Sequence, residues 1–278
     1  MEIILVPQFG FCFGVKRAID MSVKALREKP NPCQVLGTSV HNEFVIERLK
    51  KQGIKFINSL NEAKKGTIII PAHGEDPKVL KKINKMGHEI VDTTCPLVTR
   101  TQNLAKALQK KGYQVIIIGD KEHKEVKSIQ ASIDGKGIII EDEKEIAKII
   151  KKKNLGVVVQ TTQNPERVDR ILKELKKKFK EIKFYNTFCP TVQNYQKEVR
   201  NLAPKVDLML IVGSKTSANT KRLAEIAETN RKPVYHIKSA SEFKKEWFSG
   251  IKKVGIAGGT STPDWLIKEV INKLKQGL

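Results

Sequence analysis

The stretch DTTCPLVTR, residues 92–100, places a cysteine between the end of a β-branched run and a proline. The residues before it, HEIVD (88–92), are typical of a short strand. Pro96 suits the first turn of a helix, where no backbone N–H is needed. The stretch YNTFCPTVQ (185–193) repeats this design around Cys189. Two such junctions indicate a repeated α/β unit.

Apolar runs and amphipathic stretches alternate along the chain. The runs are EIILV 2–6, TIIIPA 67–72, YQVIIIG 113–119, GIIIE 137–141, LGVVVQ 155–160, VDLMLIVG 206–213 and KKVGIAG 252–258. The stretches cover 14–29, 96–111, 165–180, 190–203, 219–229 and 263–276. Nearly continuous apolar strands predict parallel sheets buried on both faces, and the alternation predicts right-handed βαβ units. Functional groups are then expected at the carboxyl ends of the strands.

A repeat of roughly ninety residues sets the domain organisation. Each cysteine of one set is followed 28 or 29 residues later by a polar residue in a loop after a strand, and then by a second polar strand end. The three series are Cys12, His41 and His73; Cys95, His123 and Thr161; and Cys189, Ser217 and Ser261. We therefore expect three α/β lobes, at 13–95, 96–189 and 190–278, with the N-terminal segment 1–12 completing the third.

Composition restricts the class of protein. Hydrophobic residues make up 40% of the 278 residues and charged residues 29%, which is typical of a folded soluble protein;. No apolar run approaches the roughly 20 residues needed to span a bilayer. The N-terminal stretch is typical of a first strand and loop rather than a signal peptide, so a cytoplasmic location is expected.

The net charge of +22 attracts anions in general;. Most lysines lie in helical runs such as KELKKKFKEIK (173–183), where they form solvated faces. Nucleic-acid binding would need a recognisable motif or aromatic side chains for stacking. The chain has no zinc-finger or RNA-binding signature and only 6% aromatic residues, so neither nucleic acid nor a membrane is an expected partner.

The chain contains four cysteines and no Cys-x-x-Cys pair, so a disulfide framework and a zinc ribbon lose support;. A lone buried cysteine is most often a small hydrophobic residue, and this interpretation suits Cys33. Cys12, Cys95 and Cys189 precede helix starts, where N–H groups and the helix dipole favour the thiolate. Pseudo-threefold symmetry would bring these three sulfurs together as ligands of an iron–sulfur cluster with one open iron.

Five histidines divide into two groups. His88 and His236 fit a structural role, whereas His41, His73 and His123 occupy strand-end loops. Three histidines could form a zinc site, but the spacing lacks His-x-x-x-His. Together with helix-start groups at Ser217, Asn219 and Ser261, they are better suited to a polyphosphate cradle.

Glu125, two residues after His123, is the expected proton donor of such a pocket, and Glu75 is its rival;. A glutamate near a helix start is more often a stabilising surface charge. Thr161 and Thr162 could relay a proton or hold a hydroxyl group; their structural alternative is capping the helix near Pro165.

The motifs of the chain, taken together, resemble those of a known family. They are GFCFGVKRAI, VHN, AHGE, TTCPLV, GDKEHKEV, QTTQ, TFCPTVQN, GSKTSANTKRL and GGTSTPDWLI, in that order and over essentially the whole chain. The chain is similar to the 4-hydroxy-3-methylbut-2-enyl diphosphate reductase (LytB) family. The resemblance implies a three-lobed cloverleaf around a [4Fe–4S] cluster held by Cys12, Cys95 and Cys189.

The resemblance also implies the chemistry. The substrate's diphosphate would be held by six residues, His41, His73, His123, Ser217, Asn219 and Ser261. Its hydroxyl would bind the open iron near Thr161 and leave as water after two electrons and two protons are added. Glu125, helped by Thr161, matches the proton donor. The products would be isopentenyl and dimethylallyl diphosphate, the last step of the methylerythritol phosphate route. A ferredoxin or flavodoxin would supply the electrons.

Two positions depart from the family pattern, since Ala218 replaces a common serine and Phe13 a common small residue. Two other functions compete with the reductase. A metal-dependent hydrolase of phosphate esters could use the same Cys and His residues with Glu125 and would be colourless with zinc. A basic nucleic-acid-binding protein would lose affinity steeply with salt and would not depend on the cysteines.

Overall fold

The strands of this computed structural model, which describes residues 1–149 and 154–277, pair in parallel throughout. They form three four-stranded sheets. The first contains β2 Cys33–Leu36, β3 Lys55–Ile57, β4 Thr67–Ile70 and β5 Glu89–Asp92. The second contains β6 Gln114–Ile118, β7 Ile138–Ile140, β8 Leu155–Val159 and β9 Ile182–Phe184. The third contains β10 Leu208–Val212, β11 Val234–Ile237, β12 Lys253–Gly258 and the N-terminal β1 Glu2–Leu5.

The three sheets share one topology. Their strand orders are β3-β2-β4-β5, β7-β6-β8-β9 and β11-β10-β12-β1. The N-terminal strand therefore takes the place that β5 and β9 hold in the other sheets, in register with β12 from Glu2 opposite Lys253 to Leu5 opposite Ile256. The prediction of three repeated parallel α/β sheets, closed by the N-terminal strand, is confirmed;.

The helices are α1 Phe13–Glu28, α2 Glu43–Lys51, α3 Pro77–Lys85, α4 Pro96–Lys110, α5 Lys124–Ala131, α6 Pro165–Lys178, α7 Pro190–Leu202, α8 Ala218–Glu228 and α9 Asp264–Lys275. The six predicted helices agree with these bounds to within two residues at each end. Helices α2, α3 and α5 are only eight or nine residues long, so the sequence period does not reveal them;. None of the described helices combines the length and the apolar composition needed to cross a bilayer.

Strands β6, β8 and β10 are buried on both faces, which explains their unbroken apolar sequences;. In the second sheet, Ile116 and Ile118 pack toward α6, whereas Ile117 and Val115 pack toward α4 and α5. The third sheet repeats this arrangement, with α9 on one face and α7 and α8 on the other. Each helix start is thereby fixed at the carboxyl edge of its sheet, where ligands bind in open parallel sheets.

The chain folds into two compact units. Unit 1 comprises Met1–Lys16, Val40–Lys51 and Pro190–Leu278 and holds the third sheet. Unit 2 comprises Arg17–Ser39 and Gln52–Cys189 and holds the first and second sheets. The strands of each sheet fall within one of the predicted lobes, but the lobe boundaries themselves stay a prediction.

Candidate active site

The carboxyl group of Glu125 is buried within unit 2. Its Oε1 accepts a hydrogen bond from the Thr161 backbone N–H (2.7 Å) and its Oε2 from the Thr161 hydroxyl (2.9 Å). Both side chains are buried. Thr161 follows β8, and Glu125 lies in the first turn of α5, so the pair joins a strand end to a helix start. That these two residues act together in catalysis stays a prediction.

His123 caps the same helix. Its Nδ1 accepts a hydrogen bond from the Glu125 backbone N–H at 3.2 Å, which satisfies one of the free donors of the first turn;. An accepting Nδ1 puts the proton of the neutral imidazole on Nε2. His123 therefore offers Nε2–H as a donor, which suits an anionic ligand.

Burial raises the pKa of Glu125 from 4.5 to about 7. The loss of hydration is the largest cause; the two hydrogen bonds from Thr161 oppose it, and the charge of Asp120 adds to it;. The carboxyl group is therefore half-protonated near neutral pH. A buried acid with such a pKa can donate a proton under physiological conditions.

A backbone hydrogen bond fixes each of the three cysteines in the same way. The N–H of Cys95 donates to the carbonyl of Ala72 (2.9 Å), that of Cys189 to Thr161 (2.9 Å), and that of Cys12 to Thr260 (3.0 Å). Each acceptor lies two residues after the neighbouring strand, β4, β8 or β12. Thr161 is thus equivalent to Ala72 and Thr260, one position before His73 and Ser261. The sequence repeat does not reveal this offset.

None of the four cysteines forms a disulfide; Cys12, Cys95 and Cys189 lie at helix starts and are partly exposed, whereas Cys33 is buried. Cys33 is fully buried in β2, as expected for a small hydrophobic residue. In unit 1, the Cys12 sulfur accepts a hydrogen bond from the Val15 N–H at 3.4 Å. Within residues 1–149 and 154–277, no group of three or more His, Cys, Asp or Glu side chains is arranged to hold a metal ion.

The pKa of the Cys95 thiol differs from the expectation that the N–H groups and dipole at a helix start favour the thiolate. Burial raises the pKa of Cys95, and the backbone N–H groups of Leu97 and Val98 lower it only in part. The negative charges of Cys189 and Glu125 raise it further;. Deprotonating this thiol therefore calls for a positive charge beside it, as a bound metal provides.

Unit 1 contributes hydroxyl and amide groups at the start of α8 and in the loop after β12. Ser217 caps α8, and its Oγ accepts from the Thr220 N–H at 3.3 Å. Ser261 donates to the backbone carbonyl of His41 at 3.2 Å. Asn219 is buried, and neither its Nδ2 nor its Oδ1 finds a hydrogen-bond partner among the described residues. An unsatisfied buried amide at a helix N-terminus is suited to an anionic ligand.

Arg17 is a supporting residue that the sequence patterns do not single out. Its Nη1 donates to the backbone carbonyls of Thr93 (3.3 Å) and Thr94 (3.1 Å), directly before Cys95. Its place five residues after Cys12, within the motif GFCFGVKRAI, is the available sequence signal. His88 is buried, and Nε2 of His236 contacts the Gly213 carbonyl at 3.1 Å, in keeping with structural roles.

Together, the repeated parallel sheets, the cysteines at helix starts and the buried acid define a class: an α/β enzyme whose thiol, carboxyl and anion-binding groups lie at helix starts. Comparison with known proteins narrows this class. A profile of the family described as "LytB protein" matches residues 3–275. The chain belongs to the LytB family.

Two relatives match the chain over nearly their whole length. The 4-hydroxy-3-methylbut-2-enyl diphosphate reductase of Geobacter metallireducens is 40% identical over 276 residues, which cover 99% of this chain and 98% of that protein. The reductase of the same name from Aquifex aeolicus is 38% identical over 280 residues, which cover 99% and 96%.

Two solved structures resemble the chain. The E-1-hydroxy-2-methyl-but-2-enyl-4-diphosphate reductase of Plasmodium falciparum has a TM-score of 0.94 at 29% identity, over 99% of this chain and 88% of that one. A second structure is described as (E)-4-hydroxy-3-methyl-but-2-enyl diphosphate reductase, the terminal enzyme of the non-mevalonate pathway. It has a TM-score of 0.74 at 38% identity, over 99% of this chain and all of that one.

The protonation state of Glu125 can be measured directly by infrared titration. We expect a protonated-carboxyl band that is present at mildly acidic pH and disappears as the pH rises through about 7. The protonated carboxyl group of Glu125 stabilises the folded state relative to the ionised group. This contribution to the free energy of unfolding is fully present below pH 4.5 and is lost as the pH rises through about 7;. Glu125→Gln should remove the band. Loss of the band near pH 4.5 instead, or its survival in the variant, contradicts the assignment.

Asn219 should matter for ligand binding rather than for stability. We expect Asn219→Ala to weaken binding of inorganic pyrophosphate about tenfold or more without lowering the free energy of unfolding, because the amide has no partner to lose;. Thr262→Val is the control. The buried Thr262 hydroxyl donates to the Val212 carbonyl at 2.8 Å, so its removal should cost about 1–3 kcal/mol;. Calorimetric titration and denaturant unfolding measure the two effects; a destabilised Asn219→Ala with normal affinity would contradict the assignment.

Proposed function

We propose that the chain is a 4-hydroxy-3-methylbut-2-enyl diphosphate reductase. It would remove the substrate's hydroxyl as water, using two electrons and two protons, and release isopentenyl and dimethylallyl diphosphate. The observation that carries the proposal is the continuous hydrogen-bonded link from Glu125 through Thr161 to the backbone of Cys189. This link supports the proposal, because it would hold the proton donor and a thiol ligand in one fixed network.

The three equivalent cysteines fit an iron–sulfur cluster by their chemistry. Thiolates are the usual ligands of such clusters, and Cys12, Cys95 and Cys189 form no disulfide, are partly exposed and are held by the same backbone bond;. We propose that they hold one [4Fe–4S] cluster with an open iron. When bound, the cluster would relay the two electrons from the external electron donor and offer a Lewis-acidic position for the substrate's hydroxyl.

Glu125 would deliver the proton that lets the hydroxyl leave as water. Its two bonds to Thr161 fix the carboxyl group, and burial keeps it partly protonated near neutral pH. The Thr161 hydroxyl donates to Oε2. Because a hydroxyl can both donate and accept, it could also turn toward the substrate and bond to the substrate's hydroxyl. Proton delivery therefore needs no rearrangement of the backbone.

The diphosphate would bind to neutral donors and imidazoles. The proposed donors are Ser217, Asn219, Ser261, His41, His73 and His123. The amide of Asn219 has no partner among the described residues, and it and the imidazole of His123 carry N–H groups of the kind that bind phosphate oxygens;. Ala218 lies at the first position of α8, where its backbone N–H remains a donor although the hydroxyl of a serine is missing;.

A ferredoxin or flavodoxin stays the predicted electron donor. Such carriers are generally acidic, and the chain's net charge of +22 would favour their approach;. A cytoplasmic location also stays a prediction.

The proposed function is tested by anaerobic turnover of the allylic diphosphate with a chemical reductant. We expect wild-type protein to form both five-carbon diphosphates. In Glu125→Gln, kcat should fall by about a hundredfold or more, because general acid catalysis is lost. Iron content and pyrophosphate affinity should persist, since an amide can keep both bonds to Thr161.

Two variants serve as controls. Glu122→Gln changes an exposed carboxylate of the same loop, paired with Lys127 at 2.6 Å, and should retain normal turnover. Glu75→Gln removes the rival donor, which lines a cavity of about 360 Å³ with His73. Near-normal turnover in Glu125→Gln, or a larger loss in Glu75→Gln, would remove Glu125 from the donor role.

A further inference from the structure

The hydroxyl of Ser128 connects three segments of unit 2. Its oxygen lies 2.9 Å from the backbone carbonyl of His73 and 2.8 Å from that of Glu125, and it accepts a hydrogen bond from Gln102 Nε2 at 3.2 Å. Ser128 is buried. A hydroxyl has one proton and two lone pairs, so it can share its proton between the two carbonyls while accepting from Gln102.

Each connected segment carries a residue of the candidate site. Gln102 lies on α4, seven residues after Cys95 and therefore on the same face of that helix;. Ser128 lies on α5, three residues after Glu125. The third segment is the loop after β4, which contains His73. The bridge therefore links the segments that carry a proposed cluster ligand, a proton donor and an anion-binding imidazole.

The loop backbone is packed tightly against this bridge. Gly74 has a φ of +80°, and a Cβ there would lie 2.9 Å from Gln102 Nε2 and 3.2 Å from Ser128 Oγ. A side chain at position 74 would therefore be both strained and obstructed. The Gly74 carbonyl contacts His73 Nδ1 at 2.9 Å, and since a carbonyl only accepts, Nδ1 carries the proton;. The loop conformation thereby sets the direction of the His73 ring.

We propose that Ser128, supported by Gln102, is a positioning residue that holds the main chain of His73 against the helix carrying Glu125. This inference rests on the proposed function, in which His73 binds the diphosphate and Glu125 supplies the proton. Removal of the hydroxyl leaves the His73 carbonyl without its Ser128 donor and releases the loop. The bonds between Glu125 and Thr161 do not involve Ser128, so the proton donor keeps its place.

The predicted signature is a split between KM and kcat. Ser128→Ala should raise KM and weaken pyrophosphate binding by about three- to tenfold, the value of one lost hydrogen bond. The change in kcat should stay within about twofold. Hydrogen exchange of the loop around His73 and Gly74 should speed up, because its backbone is less restrained. Iron content should equal that of the wild type.

Ser132→Ala is the matched control. The Ser132 hydroxyl donates to the Ile129 carbonyl at 2.7 Å. Like the bond from Ser128 to Glu125, this bond reaches three residues back along the chain, and it joins the C-cap of α5 to α5 itself. This variant should leave KM, pyrophosphate affinity and loop exchange unchanged. Equal behaviour of the two alanine variants, or a loss confined to kcat, would overturn the positioning role.

Gln102→Ala keeps the test decisive if Ser128→Ala does not fold. It should shift KM and pyrophosphate affinity in the same direction by a smaller factor. Its control is Gln109→Ala, which removes another α4 glutamine whose Nε2 donates to the Ile133 carbonyl at 2.9 Å. If Gln102→Ala and Gln109→Ala behave alike, the inference is contradicted. Pyrophosphate binding and exchange need no turnover, so wild-type protein that fails to reduce the substrate overturns the proposed function separately.

Discussion

The arrangement of the candidate site depends on one hydrogen bond that occurs three times. The backbone N–H of each repeat cysteine donates to a carbonyl just beyond the neighbouring strand: Cys12 to Thr260, Cys95 to Ala72 and Cys189 to Thr161. A buried backbone donor left unpaired would cost free energy, so each bond fixes where its helix starts. Because the bond uses only main-chain atoms, it constrains the backbone of the cysteine, while the neighbouring side chains can differ between repeats. The second repeat uses this freedom to place Thr161 beside Glu125.

The site also contains polar groups that do not favour folding. Burial of Glu125 raises its pKa to about 7, and the buried amide of Asn219 has no partner among the described residues. Both features are unfavourable for folding at neutral pH, and under the proposed function the substrate would supply the missing partner of Asn219. The buried apolar strands, including Ile116, Ile117 and Ile118, provide the stability that tolerates them;. Stability thus depends on the buried strands, whereas the candidate chemical groups lie at the starts of α5 and α8.

Much of this organisation is predictable from the sequence. The parallel sheets follow from the unbroken apolar runs, and the return of the N-terminal strand follows from the matched spacings after Cys12, Cys95 and Cys189. Other features depend on contacts between residues far apart in the chain. The offset of Thr161, the bridge from Ser128 to His73 and the support of the Cys95 loop by Arg17 are of this kind. The raised pKa of Cys95 also differs from the sequence-based expectation, because burial outweighs the helix start.

The most direct test of the cluster assignment is the iron and acid-labile sulfide content of anaerobically purified protein and its cysteine variants. We expect about four of each per chain in the brown wild-type protein, or about three irons if the open position is labile. Cys33→Ser should keep this content, because Cys33 is a core residue of β2. Serine at Cys12, Cys95 or Cys189 should remove most of it. A colourless zinc protein, or iron lost only from Cys33→Ser, would contradict the assignment of the three repeat cysteines as cluster ligands.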